Sequence, residues 1–506
     1  MKSWNKKIWW IIWGLILVAG MALRVLIVQI GLEYDEIFTA VTSNPALSWN
    51  WIVSHWLMID VHPPLHNFIL YWWNHVAPYG SEVWLRIPSL IFTLGTFIAA
   101  VFLFPKRWGN HLRFIFLLFL SSNGYMIIYS QHARPYALML FLSTVLTFNF
   151  LEISHLVKHH KDIPVKQWVV FGIFSLLLSY SHYFGALLFG VFSVLLFGQA
   201  WHYKRPLKWF IGVPLGVFIL FLPWLLPNLW TNIGLNRFEG DWWGNEKSWS
   251  SVPFNFAVFF FTSFISLGIF GFITALSLCW HIWRYRKIHA WAYSRELRLL
   301  GITLVSVLGI AFLVSLKIHL FFGRYFTELL PVFYVFMCLL IAPLARKSNI
   351  ICLGLTIAFV MSTWVFYGES HTFLDPRRFS ARLTASFWRD NYQNQDLLVA
   401  SLTGYPPAAM NAMYGYYLND VWGGKVKVYE LFHIPEAERE AILQAHPNSL
   451  IYLPSCMTKD IPRLAGKWKR SIVLRRMFGG SCYIQVSDYG ETRPLKEWLH
   501  PDREGK

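Results

Sequence analysis

The stretch IWWIIWGLILVAGMALRVLIVQIGLEYDEIF, residues 8–38, sets the terms for the whole chain. Residues 8–30 hold one ionisable side chain, Arg24, in a run long enough to cross a hydrocarbon core, which needs about twenty helical residues. The run is too long for the core of a signal peptide and lacks a small-residue cleavage site, so it is predicted to stay as an anchor. Directly behind it come two adjacent acids, Asp35 and Glu36.

Comparable apolar stretches follow at 84–104, 111–130, 136–157, 167–181, 183–201, 208–226, 254–283, 297–316, 325–345 and 349–368, which makes about eleven in all. The 506 residues are 56% hydrophobic and 14% charged, where soluble domains carry about 25% charged residues. Lipid is therefore the solvent for most of the chain, and the predicted fold is an all-α polytopic membrane domain.

Orientation follows from Lys and Arg, because short positive loops stay in the cytoplasm. They crowd alternate connections, at Lys2, Lys6 and Lys7, at Lys106, Arg107 and Arg113, and again at Arg284, Arg286 and Lys287, whereas residues 31–83 contain none. The expectation is a multi-pass protein of the cell inner (plasma) membrane with its N-terminus in the cytoplasm and its C-terminus outside. The same distribution explains the formal charge of +17 without a nucleic-acid partner, since no single basic face collects it. Glu33, Asp35, Glu36, Asp60, Glu82, Glu239, Asp241 and Glu246 all fall on the predicted outer connections, which is where chemistry is expected.

The connection 31–83 is far longer than an ordinary link between helices, and loops of that length are usually functional or disordered. Its tryptophans oppose disorder: WNWIVSHWLM (49–58) and LHNFILYWWNHV (65–76) are predicted to be helices at the membrane interface. From about residue 369 the composition turns polar. DLLVAS (396–401), KVKVYEL (425–431) and SLIYLP (449–454) are predicted strands, and PEAEREAILQA (435–445) is a predicted helix. The alternation predicts a small α/β domain with a partly parallel sheet and no Gly-rich phosphate loop. The expected division is a transmembrane catalytic domain over 1–368 and an extracytoplasmic accessory domain over 369–506. Of the five cysteines only Cys456 and Cys482 lie in that tail, where oxidising conditions permit a bridge.

Chemistry-bearing groups collect at the predicted outer ends. In IDVHPPLHN, Asp60 and His62 precede two prolines that fix φ and hold the preceding residue extended, giving His62 a rigid mount. In YSQHARPYALML (129–140), Arg134 and Tyr136 sit at a boundary poor in positive charge, and HLFFGRYFTELLP (319–331) repeats the pairing with Arg324 and Tyr325. A guanidinium at an interface often only snorkels. Two Arg/Tyr sites on the side opposite the positive-inside rule instead favour an anionic lipid headgroup, which Arg grips bidentately. His182, in YSHYF (180–184), reaches the same side, although a single His in a turn is more often structural. No His/Cys spacing argues for a metal.

The ordered set of Asp-Glu pair, His-Pro-Pro-Leu, Arg-Ile-Pro-Ser, Ala-Arg-Pro-Tyr-Ala-Leu and Arg-Tyr-x5-Pro resembles the GT-C membrane glycosyltransferases. The closest resemblance is to the bacterial branch of the dolichyl-phosphate-mannose protein mannosyltransferase family, which includes the lipid A aminoarabinose transferases. It covers residues 1 to about 345. The resemblance implies inverting transfer of a sugar from a polyprenyl-phosphate donor to a hydroxyl acceptor on a protein, lipid A or an envelope glycan. It implies Asp35 as the group that binds or deprotonates the acceptor, Glu36 as its neighbouring acid, Arg24 as a brace for the loop, and His62, Arg134, Tyr136, Arg324 and Tyr325 as substrate-binding residues, to which the reading of the residues themselves adds Asp60 and His182. No organic cofactor is implied, and members differ in metal use. Two other classes fit the composition. A secondary transporter would place its ionisable groups near the bilayer midplane, often within inverted repeats, and an inactive lipid- or glycan-binding scaffold would keep the site without the reaction.

Overall fold

Hydropathy decides where helices form, and burial decides which of them are central. The computed structural model describes residues 6–25, 31–60, 62–76, 78–234, 259–260, 267–268, 271–277, 279, 294–316, 323–345, 349–369, 381–394, 396–400, 412–431, 434–453, 471–476 and 482–487. In chain order the helices are α1 (Lys6–Val25), α2 (Tyr34–Val41), α3 (Trp49–Ile52, running into a π-helical turn Val53–Leu57), α4 (Leu65–Asn74), α5 (Glu82–Leu103), α6 (Asn110–Ser122), α7 (Gly124–Tyr129) and α8 (Tyr136–Lys158). They continue as α9 (Val165–Ser181), α10 (Tyr183–His202), α11 (Lys208–Gly234), α12 (Ser294–Ser315), α13 (Leu330–Ala345, entered through the 3-10 turn Gly323–Leu329), α14 (Asn349–Glu369), α15 (Ala381–Asn391) and α16 (Glu436–Gln444).

Among the described residues seven helices are long and apolar enough to cross a membrane: Lys7–Val25, α5, α8, α10, α11, Arg295–Ser315 and the Gly323–Ala345 element. The chain is a multi-pass membrane protein. Val165–Ser181 and Asn349–Ala358 are shorter apolar helices, and the stretch 254–283 lies largely outside the described residues. One predicted span is broken. Asn123 adopts φ −67°, ψ 114°, its side chain accepts from the Met126 N–H, and its amide donates to the Phe259 carbonyl at 2.8 Å, so 111–130 becomes α6 and α7 rather than one helix. A capping Asn inside an apolar run ends one helix and starts the next.

The chain forms two compact units, the first of Met1–Val28, Leu47–Trp73 and Val83–Ser370, the second of Gln29–Ala46, Asn74–Glu82 and His371–Lys506. In the first unit α8 is the central helix, with 89% of its apolar window buried, while α1 and α11 bury 22% and leave side chains such as Leu15, Leu220 and Trp230 exposed. That pattern suits a bundle whose outer helices meet lipid, where apolar exposure carries no penalty. Arg24, buried in the first span, donates to the carbonyls of Leu120 (2.7 Å) and Ser121 (3.2 Å). It thus binds the C-terminal end of α6, where carbonyls lack intrahelical partners, and within this unit it braces a helix end.

The second unit is built on five strands, β1 (Leu397–Ala400), β2 (Val428–Glu430), β3 (Leu450–Leu453), β4 (Ser471–Arg476) and β5 (Cys482–Ser487), in the order β2-β1-β3-β5-β4. The β2-β1-β3 half is parallel, with Leu398 opposite Val428 and Tyr452, and β5 runs antiparallel to both β3 and β4. Leu397, Val399, Leu431, Leu443, Ile451 and Leu453 form its core. The carboxylate of Asp396 accepts from Leu450 N–H and Gln393 N–H, both at 2.8 Å, and so ties the start of β1 to β3. The thiols of Cys279, Cys338 and Cys352 are unbridged; Cys456 and the side chain of Cys482 lie outside the described residues, and the expected bridge with them.

Candidate functional site

Segments more than 250 residues apart in sequence meet at one polar cluster in the first unit. Asp60 closes the π-helical turn through its N–H to the Leu57 carbonyl at 3.2 Å. The Pro63-Pro64 step then prevents α3 from running into α4, leaving His62 on the link. His62 Nδ1 lies 3.4 Å from Asp60 Oδ1, and both residues are about 5% exposed. The Asn228 amide of α11 donates to the carbonyls of Asp60 (2.9 Å) and Met58 (3.1 Å), and the Tyr183 hydroxyl donates to Asn228 Oδ1.

His182 occupies the break between α9 and α10, at φ −162°, ψ 145°. Its Nδ1 accepts from the Phe184 N–H at 3.2 Å, which leaves the ring proton on Nε2. The break is tight: a Cβ on Gly185 would stand 2.6 Å from the Leu178 carbonyl oxygen. Ring centroids of His182 and His62 are 5.3 Å apart, and Tyr325 lies 5.2 Å from His182 and 5.9 Å from His62. Arg324 carries its guanidinium 5.6 Å from the Tyr325 ring.

Arg134 and Tyr136 flank Pro135, which caps α8, and both are buried. The turn before them is pinned by the Ser89 hydroxyl, which donates to the His132 carbonyl at 2.6 Å. The Tyr136 ring packs 4.8 Å from that of Tyr129. Arg134 acts electrostatically on two imidazoles. Burial, then the Arg134 charge, then His62 hold His66 down to about 3. Burial, then His62, then Arg134 hold His182 well below the ordinary histidine range. Both rings are therefore neutral at physiological pH. His66 is 1% exposed, and neither of its ring nitrogens has a hydrogen-bond partner among the described residues.

Asp35 and Glu36 belong to the second unit, in the first turn of α2. Their roles divide by geometry. Glu36 is fully buried and its Oε2 accepts from the Glu33 N–H at 3.1 Å, capping the helix on which it sits. Asp35 is partly exposed at a helix end that favours negative charge.

The structure thus brings together Asp60, His62, Arg134, His182 and Tyr325, with Arg324 adjacent in sequence and Tyr136 two residues from Arg134. His66 was missed from sequence, although its spacing of four from His62 across Pro-Pro is a usable signal. Asn228 has no such signal, because its partners are backbone carbonyls about 170 residues away. Among the described residues no group of three or more His, Cys, Asp or Glu is arranged to hold a metal ion.

Two crystal structures of ArnT from Cupriavidus metallidurans are similar to this chain. The apo state matches at TM-score 0.55 and 11% identity, over 96% of this chain and 99% of that one. The form bound to undecaprenyl phosphate matches at TM-score 0.52 and 11% identity, over 97% and 100%. The chain has the fold of ArnT. At that identity the likeness is one of architecture and extends over both units. No family model matches the sequence, and no curated protein matches it.

Proposed function

We propose that this chain is a membrane glycosyltransferase that moves a sugar from a polyprenyl-phosphate donor to a hydroxyl acceptor. The observation that carries this reading is the packing of buried His62 and His182 on Tyr325, with Arg134 acting on His182 and on buried His66, in a fold shared with a protein solved with undecaprenyl phosphate. The sequence resemblance to GT-C enzymes points the same way. The alternation of basic loops supports eleven spans, a cytoplasmic N-terminus and an extracytoplasmic C-terminal domain.

In the proposed reaction the bond between the anomeric carbon and the phosphate oxygen breaks as the acceptor oxygen bonds to that carbon. The departing phosphate keeps the electron pair, and Arg134 and Arg324 stabilise its charge, an interaction that strengthens in a water-poor site. Neutral His66 and His182 supply N–H donors to phosphate or sugar oxygens. Asp60 orients the His62 ring by accepting from its Nδ1. Asp35 removes the acceptor proton. One displacement with one base inverts the anomeric centre, by the logic of inverting glycosidases.

The test is to incubate the purified protein in nanodiscs with polyprenyl-phosphate-linked sugars and envelope extracts, and to follow free polyprenyl phosphate and modified glycans by mass spectrometry. Release of the lipid phosphate coupled to glycan modification is expected. Envelope glycans identical with and without the protein, and no lipid phosphate released from any donor, would defeat the reading.

A further inference from the structure

In the second unit the backbone just ahead of Asp35 is held by groups from the far end of the chain. Leu32 N–H donates to the Tyr417 hydroxyl at 2.9 Å, and the Leu32 carbonyl accepts from Ala381 N–H at 3.3 Å. The same Tyr417 hydroxyl donates to Glu82 Oε1 at 2.6 Å, while Arg382 donates to Glu82 Oε2 at 2.9 Å. A second phenol repeats the arrangement at the other end of α2: Tyr79 donates to the Ala40 carbonyl at 3.3 Å and packs edge-on to Tyr416 at 6.2 Å. Tyr417, Tyr416, Leu32 and Glu82 are all buried.

The Tyr417 hydroxyl therefore uses its proton on a carboxylate and a lone pair on the α2 entrance at once. Each of these bonds fixes the other, since a buried network satisfied at every member is rigid. Leu32 is three residues before Asp35, so displacement of Leu32 displaces the carboxylate. Arg382 is partly exposed and contributes less than the buried phenol.

We infer that Tyr417 is a positioning residue for Asp35, fixed in turn by Glu82, so that the C-terminal sheet domain sets the geometry of the proposed base. This rests on the reading of Asp35 given above. In it the tail is part of the catalytic apparatus, and a lid role is not required. Tyr417 touches neither substrate nor proton, and its effect travels through Leu32 to α2.

Tyr417→Phe keeps ring and packing and deletes one oxygen. In the full-length protein in nanodiscs, kcat is expected to fall roughly 10- to 100-fold, the scale of a misplacement of about 1 Å at a reacting group. The donor KM should stay within about twofold, because the proposed phosphate residues belong to the other unit. Glu82→Gln, which still accepts from Tyr417, should keep more activity than Glu82→Ala. Amide hydrogen exchange read by mass spectrometry should speed up over residues 31–41 in Tyr417→Phe and stay unchanged over α8 and α10. Wild-type kcat and exchange in Tyr417→Phe would overturn the inference, and so would a global loss of thermal stability with kcat and KM moving together, which marks a merely structural role. Asp35→Asn separates the two claims. Its full activity would remove the catalytic reading, while the exchange result over 31–41 would still report whether Tyr417 positions α2.

Discussion

His66 in the first unit and Tyr417 in the second are both almost fully buried, yet their polar atoms are used in opposite ways. The imidazole of His66 has no hydrogen-bond partner for either nitrogen among the described residues. The hydroxyl of Tyr417 donates to Glu82 and accepts from Leu32. A buried polar group left unsatisfied costs about 1–3 kcal/mol, so the first unit carries an expense that a bound ligand would remove, whereas the second uses its polar groups to fix one helix. Where a site must receive an anion, orphaned donors and neutral imidazoles are useful; where it must hold a carboxylate in place, a closed network is.

The comparison breaks most visibly at Asp35. Asp35→Asn keeps shape but cannot take a proton, and turnover should fall by roughly 10²- to 10⁴-fold with the melting temperature unchanged. Glu36→Gln should be mild, because the amide oxygen still caps Glu33 N–H, while Glu36→Ala should cost about 1 kcal/mol of stability. Equal losses of turnover in Asp35→Asn and Glu36→Gln would end the division of labour between the two acids.

Next in size is lipid affinity. Arg134→Ala and Arg324→Ala should each weaken binding of polyprenyl phosphate roughly 10- to 100-fold, the loss of about 1.5–3 kcal/mol for a hydrogen bond to a charged group. Lys at either position should restore only part, since a point charge lacks the planar fork. Tyr417→Phe should leave this affinity unchanged. Undiminished binding in both Ala variants would place the phosphate on other residues.

Much of the fold was legible because lipid imposes a one-dimensional signal: a span must be apolar for about twenty residues. The strands 397–400, 428–430 and 450–453 and the helix 436–444 were legible for a similar reason, being short periodic runs between turns. The break at Asn123 was not, because an Asn within LSSNGYMI reads as one tolerated polar residue until its side chain is seen capping Met126. Nor was the grouping of residues 29–46 and 74–82 with the tail. It rests on pairs such as Leu32 with Tyr417, 385 residues apart, and contacts of that range leave no local pattern. In the candidate site, residues with unusual local chemistry, such as His62 before Pro-Pro and Arg134 before Pro135, stood out. Those whose role is to hold backbone, such as Asn228, did not.

A smaller effect tests how His182 is presented. Gly185→Ala would set a Cβ 2.6 Å from the Leu178 carbonyl and 2.7 Å from Leu178 Cγ. One of these is backbone, so relief requires the α9–α10 junction to open, at a cost of about 1–3 kcal/mol. The melting temperature should drop and donor binding weaken with it, because the N-cap bond from Phe184 to His182 shares that junction. A variant as stable as wild type would mean that the junction yields more easily than its geometry implies.

The smallest expected effect is a pH dependence of stability. His66 in the folded protein is held down to about 3, against an ordinary value of 6.5 in the unfolded chain, by burial first, then Arg134 and then His62. Between those values the unfolded chain binds a proton that the folded chain refuses. Protons bound by the unfolded state exceed those bound by the folded state, so stability rises with pH across the window and falls as pH drops from 6.5 toward 3. The slope is at most about 1.4 kcal/mol per pH unit for one such group, and about half of that at pH 6.5, where half of the unfolded chains are protonated. His66→Gln keeps a polar side chain of similar reach and cannot titrate. Its melting temperature, compared with wild type at pH 7.5 and at pH 5, should fall less on acidification. His182, also held low, should keep part of the acid sensitivity in that variant. If wild type and His66→Gln lose the same stability between these pH values, then His66 is protonated in the fold, and the neutral N–H donor assigned to it for a phosphate or sugar oxygen must be withdrawn.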